Sequence, residues 1–263
     1  MISLAGSSKT CRKSCTPRRL RRLFINTTRP PFNDQRVRQA LAMAVNREVL
    51  VEKVTLAGDL PAYGIVPDGI ANYISQKVSW AKISQADREA EAIKLLREAG
   101  YGPRKPLKLR YEYFTNENLK RVVVAIAAMW KKLGVNVELI NTESTVHFAN
   151  MRRGDFEVGW AVWTADYNDA QDFLFLFQTS TNSQNLAKFS NPDYDRLMDA
   201  AAVTGDASQR AQLLAQAEQI LLQELPVLPY YFRVSKNLVS TRVKGWQDNV
   251  LDVVYVKNLS LEK

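Results

Sequence analysis

One histidine and two cysteines in 263 residues leave little material for several kinds of chemistry. His147 has no Ser or Cys partner in a recognisable nucleophile setting, so a hydrolytic triad finds no support. Cys11 and Cys15 both lie near the start, leaving residues 25–263 without a thiol. A disulfide framework or thiolate metal site in that body is therefore excluded. Two cysteines four apart with no later Cys/His pair also make a poor zinc signal. A cysteine-free body suits an oxidising compartment such as a periplasm. No apolar run reaches about 18 residues, the length of a membrane-spanning helix. No glycine-rich phosphate loop follows a strand: Gly100-Tyr101-Gly102 comes after a helical pattern and lacks the third glycine and the downstream acid. No cofactor and no metal are expected.

What is present is a chain with 46% apolar residues, enough to bury a substantial core. The formal charge of +9 raises nucleic acid or a membrane surface as partners until its location is considered. Lys9, Arg12, Lys13, Arg18, Arg19, Arg21 and Arg22, with no acid among them, place seven positive charges in residues 1–24, so the body carries only +2. Residues 1–24 lack the apolar run of a secretory signal. Their composition resembles a transit peptide or a basic arm, and because it changes abruptly at Phe24 the segment is expected to be disordered or foreign to the domain, from a misplaced start or a frameshift.

Hydrophobic periodicity organises the rest into one α/β domain. Asn33-Asp34 caps a helix carrying Val37, Leu41 and Ala44, and a second helix is expected from Asn46 to Gly58. Residues 60–68 read as an ordered surface loop. Ser84 to Asp87 forms a capping box for a helix ending at Gly100. Leu107, Leu109, Tyr111 and Tyr113 alternate, Leu119 to Leu133 recur helically, and Val135, Val137 and Leu139 alternate again, which makes a βαβ unit with parallel strands. A short helix over 146–153, a strand over 156–163, helices near 171–178, after Asn191-Pro192 and over 206–223, and a buried strand over 226–234 complete the pattern.

Trp160-Ala161-Val162-Trp163-Thr164-Ala165-Asp166-Tyr167-Asn168 places one acid among three large aromatics, where apolar alternation runs out. A carboxylate at such a pocket mouth seeks a cation, here a ligand's ammonium rather than a metal or an imidazolium. Two plainer assignments compete: Trp160 and Trp163 as core residues, and Asp166 as a helix or turn cap. Asp166, Asp169 and Asp172 together could suggest glycosidase or hard-cation chemistry, but acids just before a helix more commonly cap it.

Several strings carry a resemblance. Pro31-Phe32-Asn33-Asp34-Gln35-Arg36-Val37-Arg38-Gln39-Ala40-Leu41, Gly58-Asp59-Leu60-Pro61-Ala62-Tyr63-Gly64, Trp130-Lys131-Lys132-Leu133-Gly134-Val135-Asn136-Val137, Trp163-Thr164-Ala165-Asp166-Tyr167-Asn168 and Pro229-Tyr230-Tyr231 are collinear over residues 24–263. Together they resemble the extracytoplasmic family 5 solute-binding proteins of peptide ABC transporters, the oligopeptide-binding branch most closely. The resemblance implies a periplasmic-binding-protein-like type II lobe, a mixed sheet flanked by helices, and a periplasmic, monomeric protein that is not an enzyme. The implied partners are an oligopeptide ligand and the transporter's membrane permease subunits, with no nucleic acid. It also implies that Asp166 grips the ligand's α-ammonium while Trp163, Thr164 and Ala165 line the cleft, with Trp160, Tyr167, Asn168 and Arg152 among the ligand-binding residues. Trp160 stands where oligopeptide binders often carry an Arg, Leu119 at a ligand-side His position and Ser144 at an aromatic one. The family runs to roughly twice this length, so residues 25–263 correspond to a C-terminal lobe. Residues from about 235 onward are expected to belong to the other lobe. Weak peptide binding by this polypeptide alone is expected, since closure takes two lobes. Two other readings are a nucleic-acid-associated or regulatory protein using the basic arm, and a non-functional fragment.

Overall fold

A computed structural model describes residues 11–247, 249 and 253–262, with side chains described from Leu20 onward. In chain order the first elements are β1 (Cys11–Ile25), α1 (Gln35–Ala44), α2 (Arg47–Val49) continuing into a π-helical turn (Leu50–Thr55), β2 (Leu60–Pro61) and α3 (Gln85–Glu98). The βαβ unit follows as β3 (Lys108–Phe114), α4 (Glu117–Lys131) and β4 (Asn136–Thr142), then α5 (Ser144–Arg153), β5 (Val158–Thr164) and α6 (Gln171–Leu174). The chain continues through α7 (Pro192–Val203), α8 (Ala207–Glu224), β6 (Val227–Ser240), β7 (Val243–Lys244) and β8 (Ser260–Leu261).

Six strands form one mixed sheet in the order β2-β6-β1-β5-β3-β4. β3 is parallel to β4 and β5, as the alternating pattern predicts, while β1 runs antiparallel to both β5 and β6. Consecutive strand residues point to opposite faces, and helices cover both. On one face Tyr111 meets Trp130 of α4 at 5.7 Å between ring centroids, and Trp130 Nε1 donates to Leu41 O at 2.9 Å, tying α4 to α1. On the other, Met151 of α5 fills the space over Gly159 and Phe177 stacks on Phe24 at 5.9 Å. The helix starts follow their caps: Asp34, Asn46, Ser84, Asn116, Asn191 and Asp206 each accept a hydrogen bond from a backbone N–H of the first turn.

The structure corrects four expectations. The composition change at Phe24 is not a structural boundary: the backbone of residues 11–25 is a central strand, and Leu20, Leu23 and Phe24 are buried in the core. The part of that expectation resting on residues 1–10 lies outside the described residues. The boundary near 235 falls inside β6, which stays paired with β1 to Ser240. The small β7–β8 pair then lies off the main sheet. The second helix ends not at Gly58 but at Leu56, which takes the left-handed conformation (φ 51°) because the π-helical turn closes on it through Leu56 N→Val51 O. Finally, the surface loop contributes a short edge strand, β2, paired with β6.

That loop continues to Val78 and passes close over itself. A Cβ on Gly64 would lie 2.1 Å from Gln76 O. Gly64→Ala is therefore expected to lower stability by about 1–3 kcal/mol, read as an earlier urea midpoint.

Candidate functional site

The β5–α6 junction holds four polar residues, and the fold gives three of them structural partners. Asp172 is buried and accepts from Trp163 Nε1 at 2.9 Å and from the Asp166 backbone N–H at 3.1 Å. Burial pushes its carboxyl above the usual range, and these two donors oppose that shift. Asp169 accepts from Gln171 N at 2.8 Å and meets Arg210 at 2.7 Å. Asn168 Oδ1 accepts from Ala71 N at 3.0 Å. The Asp166 carboxylate is exposed and has no hydrogen-bond or ion-pair partner among the described residues. Capping of α6 thus falls to Asp169, Asp172 ties the strand end to the helix, and the Asp166 carboxylate stays open. Its backbone is fixed by Asp172, so the acid is presented on a rigid turn.

Trp163 is half-buried, with its ring edge-on to Phe175 at 5.7 Å. Ala165 is buried, Thr164 ends β5 and Tyr167 is exposed beside Asp166. These residues come together with Asp166. Trp160 lies further back along β5, buried, with its ring 6.3 Å from both Tyr230 and Tyr231. His147 is buried beneath it and donates from Nε2 to Trp160 O at 2.8 Å, a structural role; burial lowers the imidazole's pKa.

Arg152 is not brought to the site. It closes α5, which begins after β4 and returns to the start of β5, and its carbonyl accepts from Lys188 Nζ at 2.9 Å. That places it at the opposite end of β5 from Asp166, roughly 20 Å away for a seven-residue strand.

A pocket of about 240 Å³ opens over the Trp160 face of the sheet. Its floor is Trp160, Tyr231 and Leu119, and its polar lining includes Arg21, Arg233, Arg121 and Asp59. It sits between the sheet, the π-helical turn and the start of α4. Strand alternation explains the first cation: Arg21 pairs with Tyr231 and faces the pocket, whereas Arg22 points to the other face and is buried against Phe24 and Phe177.

Residues 7–185 match the model of "Bacterial extracellular solute-binding proteins, family 5 Middle". The chain belongs to this family. It is 38% identical over 241 residues to the periplasmic murein peptide-binding protein MppA of Escherichia coli (strain K12), covering 91% of this chain and 45% of that protein. It is 40% identical over 241 residues to the periplasmic oligopeptide-binding protein OppA of Salmonella typhimurium, covering 91% of this chain and 44% of that protein. Among solved structures it superposes on MppA in an unliganded open form with a TM-score of 0.89 and 36% identity, covering 95% of this chain and 49% of that one. With Haemophilus influenzae OppA in complex with the peptide RPPGFSPFR the TM-score is 0.82 at 35% identity, covering 95% of this chain and 50% of that one. The chain spans about half the length of the curated relatives it matches.

For this family 5 chain, the residues missed by sequence reasoning are Arg21, Asp59, Arg121, Tyr231 and Arg233 in the pocket. They come from four separate stretches joined only by the sheet order. Tyr231 lies in a string that carries the resemblance, but no local pattern marks Arg21 or Arg233.

Proposed function

We propose that this chain contributes one wall of a peptide-binding cleft in the substrate-binding component of a peptide ABC transporter, with Asp166 as the anchor for the ligand's α-ammonium. The observation carrying this reading is the single carboxylate at the β5–α6 junction left without a partner while its neighbours are satisfied. An extended peptide laid along such a wall satisfies its own N–H and C=O groups against backbone, giving affinity largely independent of side-chain identity. The named roles of the relatives, periplasmic murein peptide and oligopeptide binding, support the same reading and a periplasmic location with permease subunits as partners. On this reading the site works by binding, with the Asp166 carboxylate presented to the ligand and its backbone held by Asp172. The β7–β8 pair, off the main sheet, is assigned to the region that meets the other wall.

The test is a titration of the isotope-labelled chain with Ala-Ala-Ala, followed by NMR. Shifts are expected at residues 163–168, and N-acetylating the peptide or introducing Asp166→Asn should each weaken binding about tenfold. Equal binding of acetylated and free peptide would remove Asp166 from this role.

A further inference from the structure

We propose that Arg210 is a positioning residue for the ammonium anchor: from α8 it grips the turn between Asp166 and Asp169 and holds the Asp166 carboxylate where the ligand's amino end meets it.

Geometry is the first argument. Arg210 Nη1 donates to Asp169 Oδ2 at 2.7 Å and Nη2 donates to Asp169 Oδ1 at 3.0 Å, a two-pronged pair. Nη2 also donates to Gln171 Oε1 at 3.0 Å, so one guanidinium spans the end of the turn and the first residue of α6. The Asp169 N–H in turn donates to Tyr167 O at 3.0 Å. A planar fork fixes the orientation of a carboxylate, which a single ammonium contact does not. Only Tyr167 and Asn168 separate the gripped acid from the open one.

The second argument is what lies behind the turn. A cavity of about 200 Å³ separates Asn168, Asp169 and Ala170 from residues 71–73 and from the opening of α8 at Ala207 and Arg210. Close packing does not back the turn on that side, so polar bonds decide where it sits. Beside the fork these are Ala71 N to Asn168 Oδ1 at 3.0 Å and Asp166 N to Asp172 Oδ2 at 3.1 Å. The segment carrying Ala71 is itself tied to α8 through Glu218, which accepts from Ile65 N and Tyr73 OH. One helix, anchored in the core by Leu214, Ala217 and Leu221, thus frames the turn by two routes.

The third is charge. Arg210 follows the N-cap Asp206 by four residues, at the end of α8 where the helix dipole disfavours a cation, and the first turn carries no acid to offset it. Asp169 supplies that compensation from outside the helix. The pairing also matters to a ligand. Asp169 lies three residues from Asp166, and neutralising it leaves an incoming ammonium one open carboxylate at this turn instead of two, which fixes the register of the bound peptide.

This inference rests on the peptide-binding reading, and the experiment separates their failures. The labelled full chain and its Arg210→Gln, Arg210→Lys, Asp169→Asn and Arg210→Gln/Asp169→Asn variants are titrated with Ala-Ala-Ala and N-acetyl-Ala-Ala-Ala, and NMR relaxation without ligand reports the backbone order of residues 166–169. The pair is partly exposed, and such pairs add little to stability, so the variants are expected to fold. Arg210→Gln should bind Ala-Ala-Ala about fivefold more weakly, bind the acetylated peptide as the parent does, and loosen residues 166–168. Coulomb attraction alone predicts the reverse, since losing the guanidinium makes the turn more negative. Arg210→Lys, which keeps the charge without the fork, should recover only part of the loss. The double variant should bind no more weakly than Arg210→Gln, because the two residues act as one unit. Where the parent prefers the free peptide, unchanged or tighter Ala-Ala-Ala binding by Arg210→Gln, an equal loss for the acetylated peptide, or additive losses in the double variant would overturn the positioning role. Where the parent shows no such preference the anchor reading falls, and relaxation decides: a loosened turn in Arg210→Gln upholds the grip, and an unchanged one overturns it.

Discussion

Arg22→Met is expected to make the protein more stable by about 2–4 kcal/mol, seen as a later urea midpoint at neutral pH. Arg22 is fully buried in the core, and none of its three guanidinium nitrogens has a hydrogen-bond partner. Burial lowers its pKa to about 9, against weak support from Tyr194 and Asp172. Part of the penalty is offset by the rings of Phe24 and Phe177, at 4.9 and 5.4 Å, since a desolvated cation over an aromatic face gains about 2 kcal/mol. At neutral pH the guanidinium is charged in both folded and unfolded chains, so the burial penalty is present in full. Above about pH 9 the folded chain releases the proton before the unfolded one does, and the penalty is relieved. The advantage of the methionine variant should therefore narrow between pH 7 and pH 10. A variant no more stable than the parent at pH 7 would show that the core accommodates this cation without loss.

Glu218→Ala is expected to act in the opposite direction, destabilising by about 3–5 kcal/mol and freeing residues 62–78 from α8. The Glu218 carboxylate is buried and accepts from Ile65 N at 2.7 Å, Val66 N at 2.9 Å, Tyr73 OH at 2.6 Å and Gln76 N at 3.3 Å. Alanine leaves these donors without an acceptor. Hydrogen exchange would report the release as faster exchange at Ile65 and Val66, and unchanged exchange there would refute it. A pH dependence accompanies this. Burial raises the Glu218 pKa to about 7, above the unfolded value of about 4.3. The associated stability is fully present below the unfolded value and is lost as pH rises through about 7. The stability of the parent relative to Glu218→Gln should accordingly fall between about pH 4 and pH 7.

The helices and the βαβ unit were legible because their signals are local. Asp34, Ser84 and Asn191 announce their helices by capping chemistry. The alternation at Leu109, Tyr111 and Tyr113 describes one buried face of a strand. β1 was obscured because its charged residues mask the pattern: Leu20 and Leu23 are separated by Arg21 and Arg22, one of which faces a pocket and the other the core. Nothing local to that stretch shows that β5 and β6 wait on either side of it. The acid at the β5–α6 junction could be picked out from the sequence, but separating Asp166 from Asp169 and Asp172 required their partners. Arg210, which engages Asp169, and Ala71, which engages Asn168, lie far along the chain. Arg152 lies at the other end of β5 from Asp166 because α5 runs back along the sheet after β4, a course that no local signal in residues 144–153 announces.

The position of β1 between β5 and β6 also dictates when this lobe can form. Its partners are Val158–Thr164 and Val227–Ser240, so the middle of the sheet joins stretches separated by more than a hundred residues. During synthesis β1 leaves the ribosome before both of its neighbours: one edge stays bare until β5 follows and the other until β6 is complete. Such long-range pairing slows folding and leaves strand edges available for wrong partners in the interval. The βαβ unit can assemble early, but the lobe becomes a lobe only when its last long strand arrives.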